Sequence, residues 1–148
     1  MKNFKTILFA TDFSECSAKA FEYAYALCKA AGARLEIIHT ISEPVDLRGF
    51  YVPHVSFDAL SKEIEASAKK MLEEFCAENL TEADNYGTLV ISGVPHEEII
   101  QQAKNVGADI IVMGTHGRSG LDHVLFGSTT EKVIRKSAIP ILSVPLRK

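Results

Sequence analysis

The stretch Ile110-Ile-Val-Met-Gly-Thr-His-Gly-Arg-Ser-Gly-Leu-Asp-His-Val-Leu-Phe-Gly-Ser-Thr129 decides how this chain folds. Its opening run, Ile110 to Met113, is apolar without alternation and is bounded by Asp109 and Gly114. Such a run suits a strand covered on both faces, as in a parallel sheet. A helical pattern opens at Ser128, so the segment between is a strand-to-helix loop. Four glycines in the fourteen residues from Gly114 to Gly127 let the backbone turn sharply and approach a ligand closely. Backbone N–H groups and the positive end of the following helix then face one concavity. That combination favours an anion, typically a phosphate.

Two common phosphate motifs are absent. The chain contains no Gly-Lys-Ser/Thr of a P-loop and no Gly-x-Gly of a dinucleotide fingerprint. What stands is Gly114-x2-Gly117-x9-Gly127-Ser128.

Working outward, four more strands and three more helices are legible. Thr6 to Thr11 is a short apolar run that again reads as a doubly covered strand. From about Ser14 to Ala31 the spacing is helical, with Ala20, Ala24, Leu27 and Ala31 on one side, Phe21 and Cys28 beside them, and Gly32 as the stop. Arg34 to Ile41 is the second strand. Ser42 to Val55, with two prolines and a glycine, is a loop. Ser56 is placed to cap a helix whose apolar positions are Phe57, Leu60, Ile64, Ala68, Met71 and Phe75. Tyr86 to Ser92 is the third strand. Pro95 then opens a helix with Glu97 and Glu98 in its first turn, running to Val106 and stopping at Gly107. Asp109 to Met113 is the fourth strand, Ser128 to about Ser137 the fourth helix, and Pro140 to Val144 the last strand. This alternation demands a parallel α/β sheet with helices on both faces and right-handed crossovers. In such sheets a ligand sits beyond the carboxyl ends of the strands.

At Gly114-x2-Gly117-x9-Gly127-Ser128 the chain resembles the universal stress protein family in its nucleotide-binding branch, whose motif G-x2-G-x9-G-[ST] is matched without a gap. The resemblance extends to Ile7-Leu-Phe-Ala-Thr-Asp12 and Ile139-Pro-Ile-Leu-Ser-Val144, and so covers essentially the whole chain. It implies a single Rossmann-like, doubly wound domain over residues 1–148 with spatial strand order 3-2-1-4-5. It also implies ATP or AMP as ligand, with or without Mg²⁺. Ala10 (where the family often has proline), Thr11 and Asp12 would lie against adenine and ribose, and Thr40 would help enclose the base. Met113 and Gly114 would flank the ribose. Gly117, Gly127, Ser128 and Thr129 would hold phosphates. His116 and Arg118 join them on physical grounds, because a donor or cation beside phosphates is useful. Finally, the resemblance implies a homodimer in which two copies of Pro140 to Val144 pair antiparallel, consistent with an apolar edge strand.

These residues also have plainer roles. Asp12 or Ser14 can simply cap the first helix. Ser128 and Glu131 form S-x-x-E, a capping box that competes with a phosphate for the same N–H groups. His39 and His123 more often satisfy a local hydrogen bond than bind metal, and His54 and His96 have no partner at metal-ligand spacing. Cys16 sits near a helix start, where a thiol can be activated, but an inert thiol is the commoner case.

Composition narrows the function. With 148 residues, 47% hydrophobic and 24% charged, the chain fits one globular domain. A net charge of -3 gives no general attraction to nucleic acid or membrane. No apolar run approaches a membrane span, and the three cysteines form no C-x-x-C. A reducing cytoplasm is the expected compartment. The favoured function is an adenine-nucleotide-binding regulatory module of the stress response, whose ligand state modulates contacts with a still unidentified protein partner. The alternative is a slow ATPase or autophosphorylating enzyme. The chain has neither a P-loop lysine nor an H-R-D catalytic loop to support efficient transfer.

Overall fold

The computed structural model describes residues 2–42, 57–116 and 126–146. Its elements are β1 (Thr6–Ala10), α1 (Glu15–Ala31), β2 (Arg34–Ser42), α2 (Phe57–Asn79), β3 (Tyr86–Gly93), α3 (Pro95–Asn105), β4 (Ile110–Gly114), α4 (Ser128–Lys136) and β5 (Ile141–Val144). Of the expected loop Ser42 to Val55, Ser42 instead ends β2 and the rest lies outside the described residues, as do the cap at Ser56, Gly117, Arg118, His54 and His123. The strands form one sheet in the order β3-β2-β1-β4-β5, and every neighbouring pair is parallel. The α/β class and the 3-2-1-4-5 order are those expected.

The missing alternation in β1 and β4 now has its physical cause. Ile7 and Phe9 of β1 and Val112 of β4 pack with α1 and α2 on one face. Leu8, Ala10, Ile111 and Met113 pack with Ile99 and Ala103 of α3 and Val133 of α4 on the other. Both faces are core, so both sets of side chains must be apolar. Phe9 is fully buried and its ring centroid lies 5.5 Å from that of Phe21 and 6.3 Å from that of Phe75. No helix of the described residues is long and apolar enough to cross a membrane.

Local signals set the helix ends. Ser14 caps α1 by accepting the Ser17 N–H at 3.2 Å, while Asp12 accepts the Ser14 N–H at 3.0 Å. Of the two candidate caps, Ser14 is the one used. Gly32 closes α1 in the left-handed region at φ +64°, where a side chain would be strained. Pro95 opens α3 with Glu97 and Glu98 in the first turn, as expected.

Helix α2 departs from the sequence reading. The stripe Phe57-Leu60-Ile64-Ala68-Met71-Phe75 is not one continuous core face. Leu60, Ile64 and Met71 are 45%, 45% and 39% exposed. Leu72 and Cys76, with Leu80 just past the helix end, join the core with Phe75 partly buried against it, while buried Ala68 lines the cleft. Helical spacing identifies an apolar face without saying what covers it. The second half of α2 covers the sheet; Leu60, Ile64 and Met71 instead help to line a cleft. Replacing Phe9 with alanine should therefore cost about 3–5 kcal/mol in urea unfolding. Met71→Ala should change stability by no more than about 0.5 kcal/mol. A large loss at Met71 would return it to the core.

Candidate functional site

A cleft of about 740 Å³ opens at the carboxyl ends of β1, β2 and β4. This is where the strand order turns, because β1 connects through α1 to one neighbour while β4, its other neighbour, arrives by way of α3. Ala10, Thr11 and Asp12 line it from the end of β1, and Thr40 from β2. Met113, Gly114 and His116 line it from β4 and beyond, and Gly127, Ser128 and Thr129 from the start of α4. All the expected site residues that fall within the described residues thus meet on one concavity.

The turn from β1 to α1 is held by its own polar groups. The Thr11 N–H donates to the Ile38 carbonyl at 2.9 Å, extending the β1–β2 ladder by one step. Thr11 Oγ1 accepts the Phe13 N–H and also meets Ser17 Oγ, both at 3.0 Å. His39 Nδ1–H donates to the Thr11 carbonyl at 2.8 Å, the local role expected for this histidine. Its ring lies 4.5 Å from that of Phe13. Phe13 itself adopts φ +62°, the one non-glycine residue in the left-handed region among those described. Such a conformation costs about 1–3 kcal/mol and persists where surrounding bonds over-determine it, often at a functional turn.

Gly114 shows why its position excludes a side chain. A Cβ there would lie 2.7 Å from Cys16 Sγ and 3.1 Å from the Cys16 carbonyl carbon. The first turn of α1 thus rests directly on the backbone of β4. Cys16 Sγ–H points to the Val144 carbonyl at 3.5 Å, joining β5 to the same contact.

The start of α4 is fixed to the end of β4. Thr130 Oγ1–H donates to the Gly114 carbonyl at 2.8 Å, and the Gly127 N–H donates to the Thr115 carbonyl at 2.6 Å. Gly127 is the N-cap, and among the described residues no side chain caps the first-turn N–H groups. Ser128 lies inside the helix, and the Glu131 carboxylate pairs with Arg135 at 2.8 Å. The S-x-x-E capping box is not formed. An uncapped helix N-terminus flanked by the Ser128 and Thr129 hydroxyls is a donor set for an anion.

Several cleft residues escaped sequence reading. Thr130 is buried and bonded to β4, and nothing in a Ser-Thr-Thr run says which hydroxyl turns inward. Phe13 and His39 line the cleft, as do Glu63 and Ser67 of α2. For α2 a signal existed: polar Glu63 and Ser67 interleave with Leu60, Ile64 and Met71 on one side of the helix.

The parallel sheet, with a hydroxyl-lined cleft at its switch point, defines a doubly wound α/β protein with a ligand-type crevice at its strand ends. The universal stress protein family model matches residues 3–145. The universal stress protein MJ0577 of Methanocaldococcus jannaschii is 31% identical over 95% of this chain and 94% of its own length. The universal stress protein YxiE of Bacillus subtilis is 37% identical over 95% of this chain and 99% of its own. The solved structure of MJ0577 superposes with a TM-score of 0.86 at 32% identity, covering 99% of each chain. A universal stress protein in complex with cAMP shares the fold at 24% identity and a TM-score of 0.63, over 97% of this chain and 98% of that one. The chain belongs to the universal stress protein family.

The Gly114 contact carries its own test. Gly114→Ala should destabilise the protein by about 1–3 kcal/mol through overpacking. Adding Cys16→Ala should recover part of that loss, because it removes the nearest clashing atom but leaves the backbone in place. Full stability of the single variant in chemical denaturation would refute the close approach.

Proposed function

We propose that this protein is a regulatory module, one domain over residues 1–148, that binds ATP or AMP in the cleft. The observation that carries this reading is the uncapped N-terminus of α4, with Ser128 and Thr129 facing the cleft. In this reading the phosphates lie against Gly127, Ser128 and Thr129, joined by Gly117 and Arg118. The ribose lies by Met113 and Gly114. The base and ribose rest on Ala10, Thr11 and Asp12, with Thr40 enclosing the base and His116 beside the phosphates. Ligand occupancy then biases the surface offered to a partner protein.

Mg²⁺ suits this site. Among the described residues the cleft is lined by the carboxylates of Asp12 and Glu63 and by no lysine or arginine. A divalent cation would offset the charge of a triphosphate there. A reducing cytoplasm suits the three buried, unpaired cysteines. Burial pushes the thiols of Cys28 (to about 11) and Cys76 up, which keeps them protonated and inert.

Calorimetry tests the phosphate contact. Ser128→Ala should weaken ATP binding roughly tenfold or more, the loss of a hydroxyl donor to a charged group at about 1.4 kcal/mol per decade. Adenosine should bind both proteins equally. Equal ATP affinity in the two proteins would refute the contact, and no heat with any adenine nucleotide would refute the function.

A homodimer completes the proposal. β5 is an edge strand whose only neighbour among the described strands is β4. Pro140 precedes it, its carbonyl accepting the Ile111 N–H at 2.9 Å. Ile134, Ile139, Pro140 and Ile141 line a shallow apolar groove beside it. Antiparallel pairing of two β5 strands would cover both. Sedimentation at micromolar concentration should give twice the chain mass, and a clean monomer would reject the pairing.

A further inference from the structure

His96 follows Pro95 in the first turn of α3 and is only 7% exposed. Pro95 and Ile99, its neighbours along the chain and one turn on, line the cleft, and His96 does not. Its Nε2 is buried and has no hydrogen-bond partner among the described residues. The nearest carboxylate, Glu97 on its own helix, is 3.9 Å away and largely exposed, too far for a hydrogen bond. Helix α4 packs beside α3, and the charges of its Lys136 and Lys132 oppose a positive charge on the ring. We propose that protonation of His96 parts α3 from α4 and thereby loosens the phosphate side of the cleft.

The chemistry runs through one atom. Neutral His96 tolerates burial of an unpartnered ring nitrogen. Protonation leaves both ring nitrogens carrying a hydrogen, so that Nε2 needs an acceptor, and it adds a positive charge that Lys136 and Lys132 oppose. The described residues offer no acceptor within reach, so water must enter between the helices. α4 is nine residues long, and its first turn supplies Ser128 and Thr129 to the cleft. Lys132 is one turn beyond Ser128, so movement of α4 at the histidine is movement at the anion donors. The β1 side of the cleft, Ala10 to Asp12, is attached to a different pair of elements.

The direction with pH follows. Burial first, then Lys136 and Lys132, hold the imidazole below the ordinary histidine value of 6.5, with Glu97 opposing. The packed helix pair therefore binds the proton less well than the opened one. The penalty is absent above the ordinary histidine range and grows as pH falls below it.

The proposal rests on the cleft being a nucleotide site, and the experiment separates the two. ATP binding is measured at pH 7.5 and 5.5 for the wild type and for His96→Gln, which cannot titrate. Protonation of the phosphate itself is common to both proteins and cancels. The wild type should lose more affinity than the variant, by up to about tenfold over this pH interval, and adenosine binding should change equally in both. Equal losses, or tighter wild-type binding at pH 5.5, overturn the proposal. Without ligand, the backbone amide resonances of Ser128 to Thr130 should shift with a midpoint below 6.5 in the wild type and stay still in His96→Gln. Lys136→Gln, at an exposed position, should move that midpoint upward if His96→Gln folds poorly. A wild type that binds no adenine nucleotide at pH 7.5 refutes the nucleotide reading. The amides then still decide the coupling: movement in the wild type alone upholds it, and identical behaviour overturns it.

Discussion

The contact of α1 with β4 at Gly114 is the one on which the site depends. An α-helix usually stands off a sheet by the depth of its side chains. Here the missing Cβ of Gly114 lets the carbonyl of Cys16 approach the strand backbone. The turn between β1 and α1 is thereby drawn over the end of β4. The same glycine's carbonyl accepts the Thr130 hydroxyl, which fixes the start of α4 at the same point. Two strand ends and two helix starts are thus referred to one residue, and the cleft is the space they leave. The first glycine of the motif has a packing reason that holds whether or not a ligand is bound.

Most of the fold was legible because a parallel sheet covered on both faces leaves a plain mark. Ile7 to Ala10 and Ile110 to Met113 are apolar at every position, and only a doubly covered strand needs that. Helix ends were legible where a residue's own geometry decides them, as at Gly32 and Gly107, both at φ +64°. Strand order was not legible from the residues and came from resemblance. The misreading of α2 has a different cause. An apolar stripe reports that a face avoids water. It does not distinguish a sheet from a cavity as the thing it faces.

Among the residues that line the cleft, those at a strand end or a helix start were readable: Thr11, Asp12, Gly114, Gly127 and Ser128. Those that depend on tertiary contact were not. Phe13 is held at a positive φ by bonds to Thr11 and by the His39 ring, and His39 comes from another strand. In the sequence His96 showed only that it has no partner at metal-ligand spacing. Only the structure adds that it is buried with its Nε2 lacking a hydrogen-bond partner among the described residues.

The division of α2 has a consequence for how this architecture tolerates change. One helix carries two populations of residues under different obligations. Leu72 and Cys76, and Leu80 just past the helix end, are packed into the core under the sheet, and a substitution there is felt by the whole molecule. Leu60, Glu63, Ile64 and Ser67 answer only to whatever occupies the cleft. Preference for one occupant over another can drift through these four positions while the scaffold stays intact. A library confined to them would explore recognition with little risk to folding, which makes the leading half of α2 the natural place to redesign what this cleft accepts.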